Sequence, residues 1–249
     1  MKKRKRIYIF SVVLIESIVI VISLFYASRA RNFQFFGSIY SSIPNDDKKI
    51  ALTFDDGPTK NTGSIIEKLQ EFDITATFFV CGAEIAERPE DARAIVNAGY
   101  ALGNHSYSHK RMVFKSYSFC KDEVDKTNEL IRESGYDGEI FFRPPYCKKL
   151  FALPYYLNKI DMPSITWDNE PESVLRFDAS PKETAQYIMD NVQSGSIILL
   201  HPMYEPKNTL LALDMIVPEL HRQGYIFCTV AELYNEYERN AGTVVNQTN

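Results

Sequence analysis

Histidine is scarce in this chain, with four among 249 residues, and tryptophan occurs once, at Trp167. Cysteine is equally sparse. Cys81, Cys120, Cys147 and Cys228 stand far apart with no Cys-x-x-Cys pair, which excludes zinc-finger spacing and selects no disulfide; Cys81 and Cys228 lie in apolar runs and read as core. No Gly-x-Gly-x-x-Gly or Walker loop follows an apolar run, so the main motifs of nucleotide-binding sheets are missing. Basic charge is missing from the body of the chain. Without Lys2, Lys3, Arg4, Lys5 and Arg6, 23 Lys and Arg face 32 Asp and Glu, a net charge of −9, and a nucleic-acid partner is excluded for want of a basic face.

Long apolar runs are absent too, except for one. Residues 7–26 form an apolar stretch interrupted by Glu16 and a few serines. At helical rise it spans about 30 Å, the thickness of a bilayer's hydrocarbon core. The basic residues before it predict a cytoplasmic N-terminus and an extracytoplasmic body. A cleavable signal peptide has an apolar core of about 7–15 residues and a small-x-small site, whereas Ala27-Ser28-Arg29-Ala30 places Arg29 inside the one candidate site. Residues 1–30 are therefore read as a basic stub and an uncleaved single-pass anchor in the cell membrane. Residues 31–48, polar and aromatic without periodicity, read as a connecting stalk, 49–239 as one globular domain and 240–249 as a flexible tail. A monomer is expected.

The domain alternates strand and helix about seven times. Strand patterns near 50–54, 75–80, 100–103, 139–142, 163–167, 196–200 and 225–230 are separated by helical patterns near 64–72, 90–97, 118–133, 150–159, 180–192 and 210–223, and a last helix follows over 231–239. Connections this short predict parallel strands covered by helices. The expected fold is α/β, a distorted (β/α)7–8 barrel rather than an open doubly wound sheet.

Chemistry collects just after the strand ends. Asp55 and Asp56, His105 and His109, Arg143, Trp167 with Glu170, and His201 all follow separate strand patterns, and in a parallel barrel those ends share the face that carries catalytic groups. His221, next to Arg222 in a helical pattern, reads as a surface residue. Alternation along a strand forbids Asp55 and Asp56 from sharing one task, so one can bind a cation while the other serves as a base. Asp-Asp-Gly alone is commonest as a turn of solvated acids, and His-x-x-x-His alone is as often a helix-surface pair as a ligand pair. One turn of helix would bring the imidazoles of His105 and His109 to one side. With Asp56 they make a His₂-carboxylate set with an open position, as in zinc hydrolases.

Thr53-Phe54-Asp55-Asp56-Gly57, His105-Ser106-Tyr107-Ser108-His109, Arg143-Pro144-Pro145-Tyr146 and Leu199-Leu200-His201 resemble four ordered motifs of the polysaccharide deacetylases with a NodB homology domain, carbohydrate esterase family 4, over about residues 49–236. The resemblance implies a divalent metal, zinc or another such as cobalt, held by Asp56, His105 and His109. It implies Asp55 as general base paired with Arg143, and His201 as the acid that protonates the departing amine. The backbone N–H of Tyr146, after Pro145, would hold the oxyanion; Leu199 would line the acetyl pocket, with Trp167 and Glu170 beside the substrate. A fifth motif, Asp-x-x-Asp-Trp, departs, with Glu170, Ser173 and Val174 at its places. Glu170 is the expected substitute support for His201, with Glu172 the other candidate. The expected function is removal of acetyl groups from an N-acetylated envelope polysaccharide such as peptidoglycan. An O-acetyl esterase and a catalytically silent carbohydrate-binding module are the alternatives.

Overall fold

Along residues 50–55 alternate side chains belong to two different cores, and this alternation sets the architecture. Ile50, Leu52 and Phe54 pack in one buried cluster with Ile65, Leu69, Leu213 and Val217, whereas Ala51 packs in a second with Phe79, Phe141, Trp167, Ile197 and Leu199. The first lies between strands and helices and the second inside the ring of strands, so Asp55, in phase with Ala51 and Thr53, is directed inward.

A computed structural model describes residues 2–176 and 178–247. Helix α1 (Lys2–Ala27) is followed by β1 (Ile39–Tyr40), β2 (Lys49–Gly57), α2 (Thr62–Glu71), β3 (Thr77–Val80), α3 (Gly82–Glu87), α4 (Pro89–Asn97) and β4 (Ala101–Asn104). Then come α5 (Tyr117–Glu133), α6 (Ala152–Lys159), β5 (Ser164–Ile165), α7 (Pro181–Asn191), β6 (Ile197–Leu200), α8 (Pro206–Arg222), β7 (Ile226–Cys228) and α9 (Val230–Gln247). The pairings between these strands are parallel, with β4, β3, β2 and β6 in order and β7 also on β2. Single-residue parallel bridges from Asn104 to Phe142, Phe142 to Ser164 and Asn169 to Ile198 link β4 through β5 to β6, so the pairings run in a ring. The α/β fold is the expected one, with a distorted side where the strand expected over 139–142 shrinks to the bridge at Phe142.

Local signals account for several helix ends. Ser180 and Glu183 form a reciprocal capping box at α7 with Pro181 in the first turn. Ser116 caps α5 by accepting from the Phe119 N–H. The last helix is longer than expected, and the segment read as a flexible tail is helical to Gln247; residues 248 and 249 lie outside the described residues.

Helix α1 is long and apolar enough to cross a membrane, and none of its apolar stretch is buried. Residues 31–48 are not a free stalk. Tyr40 and Ile39 pair with β5, the Ile43 N–H donates to the Gly195 carbonyl, and the Ser164 N–H donates to the Ser38 carbonyl. The aromatic residues that give this stretch no periodicity are its contacts, as with Phe35 against Phe151 and Phe36 against Tyr155.

Candidate metal centre and catalytic cleft

Asp55 and Asp56 reach the same cavity because the strand that carries them is bulged. In the β2–β3 register Asp55 faces Phe79 and Gly57 faces Val80, leaving Asp56 as the extra residue, and it takes a left-handed φ of 70°. A bulge of this kind redirects one side chain out of the two-residue alternation.

The histidines converge by a different device from the expected turn of helix. Residues 105–109 form an irregular loop with positive φ at Ser106 and His109. The loop is held by polar groups. The Ser106 N–H donates to Asn104 Oδ1, the His109 N–H to Ser106 Oγ, and the Ser108 N–H and hydroxyl both donate to Glu123 on α5. Left-handed backbone at Asp56, Ser106, His109 and Tyr146 thus clusters around one point, where surrounding contacts must hold it.

Asp56 Oδ1 lies 3.0 Å from His109 Nε2 and 3.6 Å from His105 Nε2, and the rings of the two histidines are 4.9 Å apart. One donor atom from each of the three residues falls within 4.8 Å of the others. Two donors about 2 Å from a common tetrahedral centre would be about 3.3 Å apart, so these spacings suit a divalent ion. The tautomer suits it as well. His105 Nδ1 is 2.8 Å from the Arg143 carbonyl, which can only accept, so Nδ1 is the donor and Nε2 is the ring nitrogen left to face Asp56 and a metal. Burial, and then the neighbouring His105, push the His109 imidazole down, which favours the neutral form a metal requires.

Asp55 is held otherwise. Arg143, with no exposed surface, donates from Nη1 to Asp55 Oδ1 at 2.7 Å and to Thr53 Oγ1 at 2.8 Å, and from Nη2 to the Thr166 carbonyl at 3.1 Å; its guanidinium carbon stands 3.9 Å from the centre of the Phe79 ring. Burial alone would raise the Asp55 carboxyl, but the Arg143 guanidinium, with His105 and His201, holds it below the usual value. The carboxylate is therefore kept ionised although buried, with Oδ2 3.5 Å from His105 Nε2.

His201 follows β6. Its Nδ1 is 3.8 Å from Glu172 Oε1, and the same oxygen accepts from the His201 N–H at 3.3 Å. Burial lowers this imidazole, yet Glu172, with Asp55 and Asp56, pushes it up to about 9. Glu172, not the expected Glu170, is thus the carboxylate beside His201. Glu170 is engaged elsewhere, its Oε2 accepting from Trp167 Nε1 at 2.8 Å and from Arg31 at 2.7 Å, while Ser173 donates to the Glu170 carbonyl.

A cavity of about 380 Å³ joins these groups, lined by Asp55, Asp56, His105, His109, Tyr146, Trp167, Glu170 and His201, and also by Arg29, Arg31, Cys147, Lys148 and Ser173. A second, of about 320 Å³, shares Asp56, His109 and Tyr146 with it and carries Tyr107, Glu84 and the exposed Tyr204 on the far side. Tyr146 stands between them, 53% exposed, its ring 4.6 Å from that of His109. Pro145 and Leu199 are buried beneath the surface and line neither cavity, so Leu199 supports the floor through its cluster with Phe79 and Trp167. The cationic residues of segment 29–31 carry no local sequence signal for this position, because Arg31 meets Glu170 across 139 residues of chain.

A family model described as polysaccharide deacetylase matches residues 42–165. The chain is 33% identical over 192 residues to a bifunctional xylanase/deacetylase of Pseudobutyrivibrio xylanivorans, covering 76% of this chain and 31% of that protein. It is 30% identical over 197 residues to a peptidoglycan-N-acetylglucosamine deacetylase of Bacillus cereus, covering 78% of this chain and 70% of that one. The crystal structure of the Bc1960 peptidoglycan N-acetylglucosamine deacetylase, in complex with 4-naphthalen-1-yl-N-oxidanyl-benzamide, superposes with a TM-score of 0.72 at 28% identity, covering 77% of this chain and 90% of that chain. The chain thus spans about a third of the first relative's length and most of the second's.

Proposed function

The chain belongs to the polysaccharide deacetylase family, and on that premise we propose that it is a metal-dependent hydrolase that removes acetyl groups from N-acetylated sugars of peptidoglycan, anchored in the cell membrane by α1 with its domain on the extracytoplasmic side. The observation that carries this reading is the juxtaposition of two differently tuned carboxylates, Asp55 ionised against buried Arg143 and Asp56 against two imidazole nitrogens. A pure binding module needs only the second.

Asp56, His105 and His109 would hold the ion, zinc by the nitrogen and oxygen character of the set. Such an ion supplies Lewis acidity toward the acetamide carbonyl and lowers the pKa of water. Asp55, oriented by Arg143, accepts the proton of the attacking water. The backbone N–H of Tyr146 is the donor assigned to the developing oxyanion. His201 keeps its proton at neutral pH because Glu172 and the aspartates favour the imidazolium, and it delivers that proton to the leaving nitrogen, since an amine is expelled poorly as an anion. A glycan chain would cross the ridge at Tyr146 from one cavity to the other, with Tyr146 and Tyr204 offering faces to the sugars.

The test is acetate released by the purified full chain from peptidoglycan, chitin oligomers and acetylxylan. Release from the first two is expected, stopping with a chelator and returning with added zinc. Release from acetylxylan alone would favour an O-acetyl esterase, and zinc binding with no acetate from any substrate would favour a silent binder.

A second expectation concerns the acid. Glu172→Gln removes the charge that holds the His201 pKa up, so the alkaline limb of the kcat profile should move to lower pH and kcat should fall about tenfold. A limb unmoved in the variant would remove Glu172 from that role.

A further inference from the structure

Just after the apolar helix the usual order of burial is inverted. In residues 33–36 the polar Gln34 is buried, its Nε2 donating to the Ser38 carbonyl at 2.9 Å, while Phe33, Phe35 and Phe36 around it are exposed. The Ser38 carbonyl also accepts from the Ser164 N–H on β5, so the segment is pinned in this orientation. The three rings continue onto the domain. Between ring centres, Phe33 lies 5.3 Å from Phe35, Phe35 4.6 Å from Phe151, Phe36 5.4 Å from Tyr155 and Tyr155 6.0 Å from Tyr117. Phe151 and Tyr155 are joined by a helical hydrogen bond at the start of α6 and so share a face. All six rings are exposed. A continuous exposed apolar face of this kind marks a contact with something other than water.

The face is held close to the end of α1. The Ser28 carbonyl, next after Ala27, accepts from the Lys149 N–H at 3.0 Å, so no free linker separates helix from domain. Phe25 and Tyr26 end the apolar stretch, and aromatic residues there mark the boundary between hydrocarbon and headgroups. Arg29 and Lys148 stand over the Phe25 ring, 5.5 and 5.2 Å from its centre, which puts both at that boundary. Exposed Lys110, Arg111 and Lys115 precede α5, the helix that carries Tyr117. Among the described residues none of these five cations makes an ion pair, whereas Lys49, Lys68 and Lys121 do. Burial, and then Arg29 and Arg111, push the Lys148 ammonium down, so these three charges stand together.

We propose that this aromatic face, rimmed by Arg29, Lys110, Arg111, Lys115 and Lys148, lies on the outer leaflet of the membrane that α1 spans, with its rings in the headgroup boundary and its cations on anionic headgroups. Beyond the N-terminal stub the chain is acidic overall, and a local basic rim is what lets such a body approach an anionic surface. The proposal rests on α1 as an anchor and not on the reaction. Because Arg29 and Lys148 also line the catalytic cavity, the seating brings the cleft rim to headgroup level, where it meets the glycan nearest the membrane.

The four native cysteines are buried, so a cysteine introduced on the surface can be labelled selectively with a thiol-reactive nitrobenzoxadiazole probe. Full-length Phe151→Cys and Glu67→Cys, the latter on α2, which packs on α4 and α8, are labelled and reconstituted in vesicles of phosphatidylglycerol and phosphatidylcholine, with and without a headgroup nitroxide. The nitroxide should lower the emission of the probe at position 151 about twofold and leave that at position 67 unchanged. Phe33→Ser/Phe35→Ser and, separately, Lys110→Glu/Lys115→Glu should each weaken the quenching at position 151. A probe at position 151 left unquenched, or quenching unaltered by both pairs of substitutions, in a chain that stays with the vesicles through an alkaline carbonate wash, would overturn the seating and leave the anchor standing. Release of the chain by that wash would overturn both. Quenching that needs no nitroxide and is relieved by diluting labelled with unlabelled chain would assign the face to a second copy and overturn the seating. Acetate release from chitin oligomers by the same preparations reports on the deacetylase reading separately.

Discussion

Asp55→Asn is expected to lower acetate release by roughly a thousandfold, the scale of a lost general base, while the variant still binds zinc. The separation follows from the geometry. The three candidate donors are Asp56, His105 and His109, and Asp55 meets them only through a 3.5 Å approach to His105. The amide still accepts from Arg143 but takes no proton from water. Zinc content and acetate release measured on the same preparation decide the matter, and loss of the metal together with the activity would place Asp55 among the ligands instead.

Arg143→Met should cost roughly 3–5 kcal/mol of stability, because it leaves the wholly buried Asp55 carboxylate without its cation. Such a loss exceeds what truncating a surface arginine does. Activity should fall as well, since burial then raises the Asp55 carboxyl. The double variant Asp55→Asn/Arg143→Met should recover much of the stability and none of the activity, as both members of the pair are then uncharged. Trp167, the chain's one tryptophan, stands 5.6 Å from the Arg143 guanidinium carbon and reports denaturant unfolding by its fluorescence. Equal destabilisation in single and double variants would mean that Arg143 acts by packing on Phe79 and Trp167 and not by charge.

The candidate site divides into parts that local sequence carries and parts that it does not. Asp55, Asp56, His105, His109, Arg143 and His201 could all be picked out because each follows an apolar strand pattern and parallel strands deliver their ends to one face. How they meet was less legible. A four-residue histidine spacing suggests a helix turn, but the Asn104 amide and the Glu123 carboxylate offer the loop backbone and Ser108 better partners and hold it open. Two adjacent aspartates suggest opposite faces, but the bulge at Asp56 turns both inward. Glu170 and Glu172 are indistinguishable by position in a loop; Trp167 and Arg31 take the first and leave the second for His201.

The sequence by itself determined the repertoire and its order: the apolar helix that precedes the domain, the strand and helix periods, and the donors and acids placed after the strands. These are local properties, written in spacing and side-chain chemistry. Tertiary structure alone decided that Arg29 and Arg31 wall the cleft, that Glu172 rather than Glu170 sits beside His201, and that the Asp55–Arg143 pair is buried. Those outcomes depend on where a closing ring of strands brings distant segments together, and on low-polarity surroundings that make each buried charge take whichever partner lies within reach.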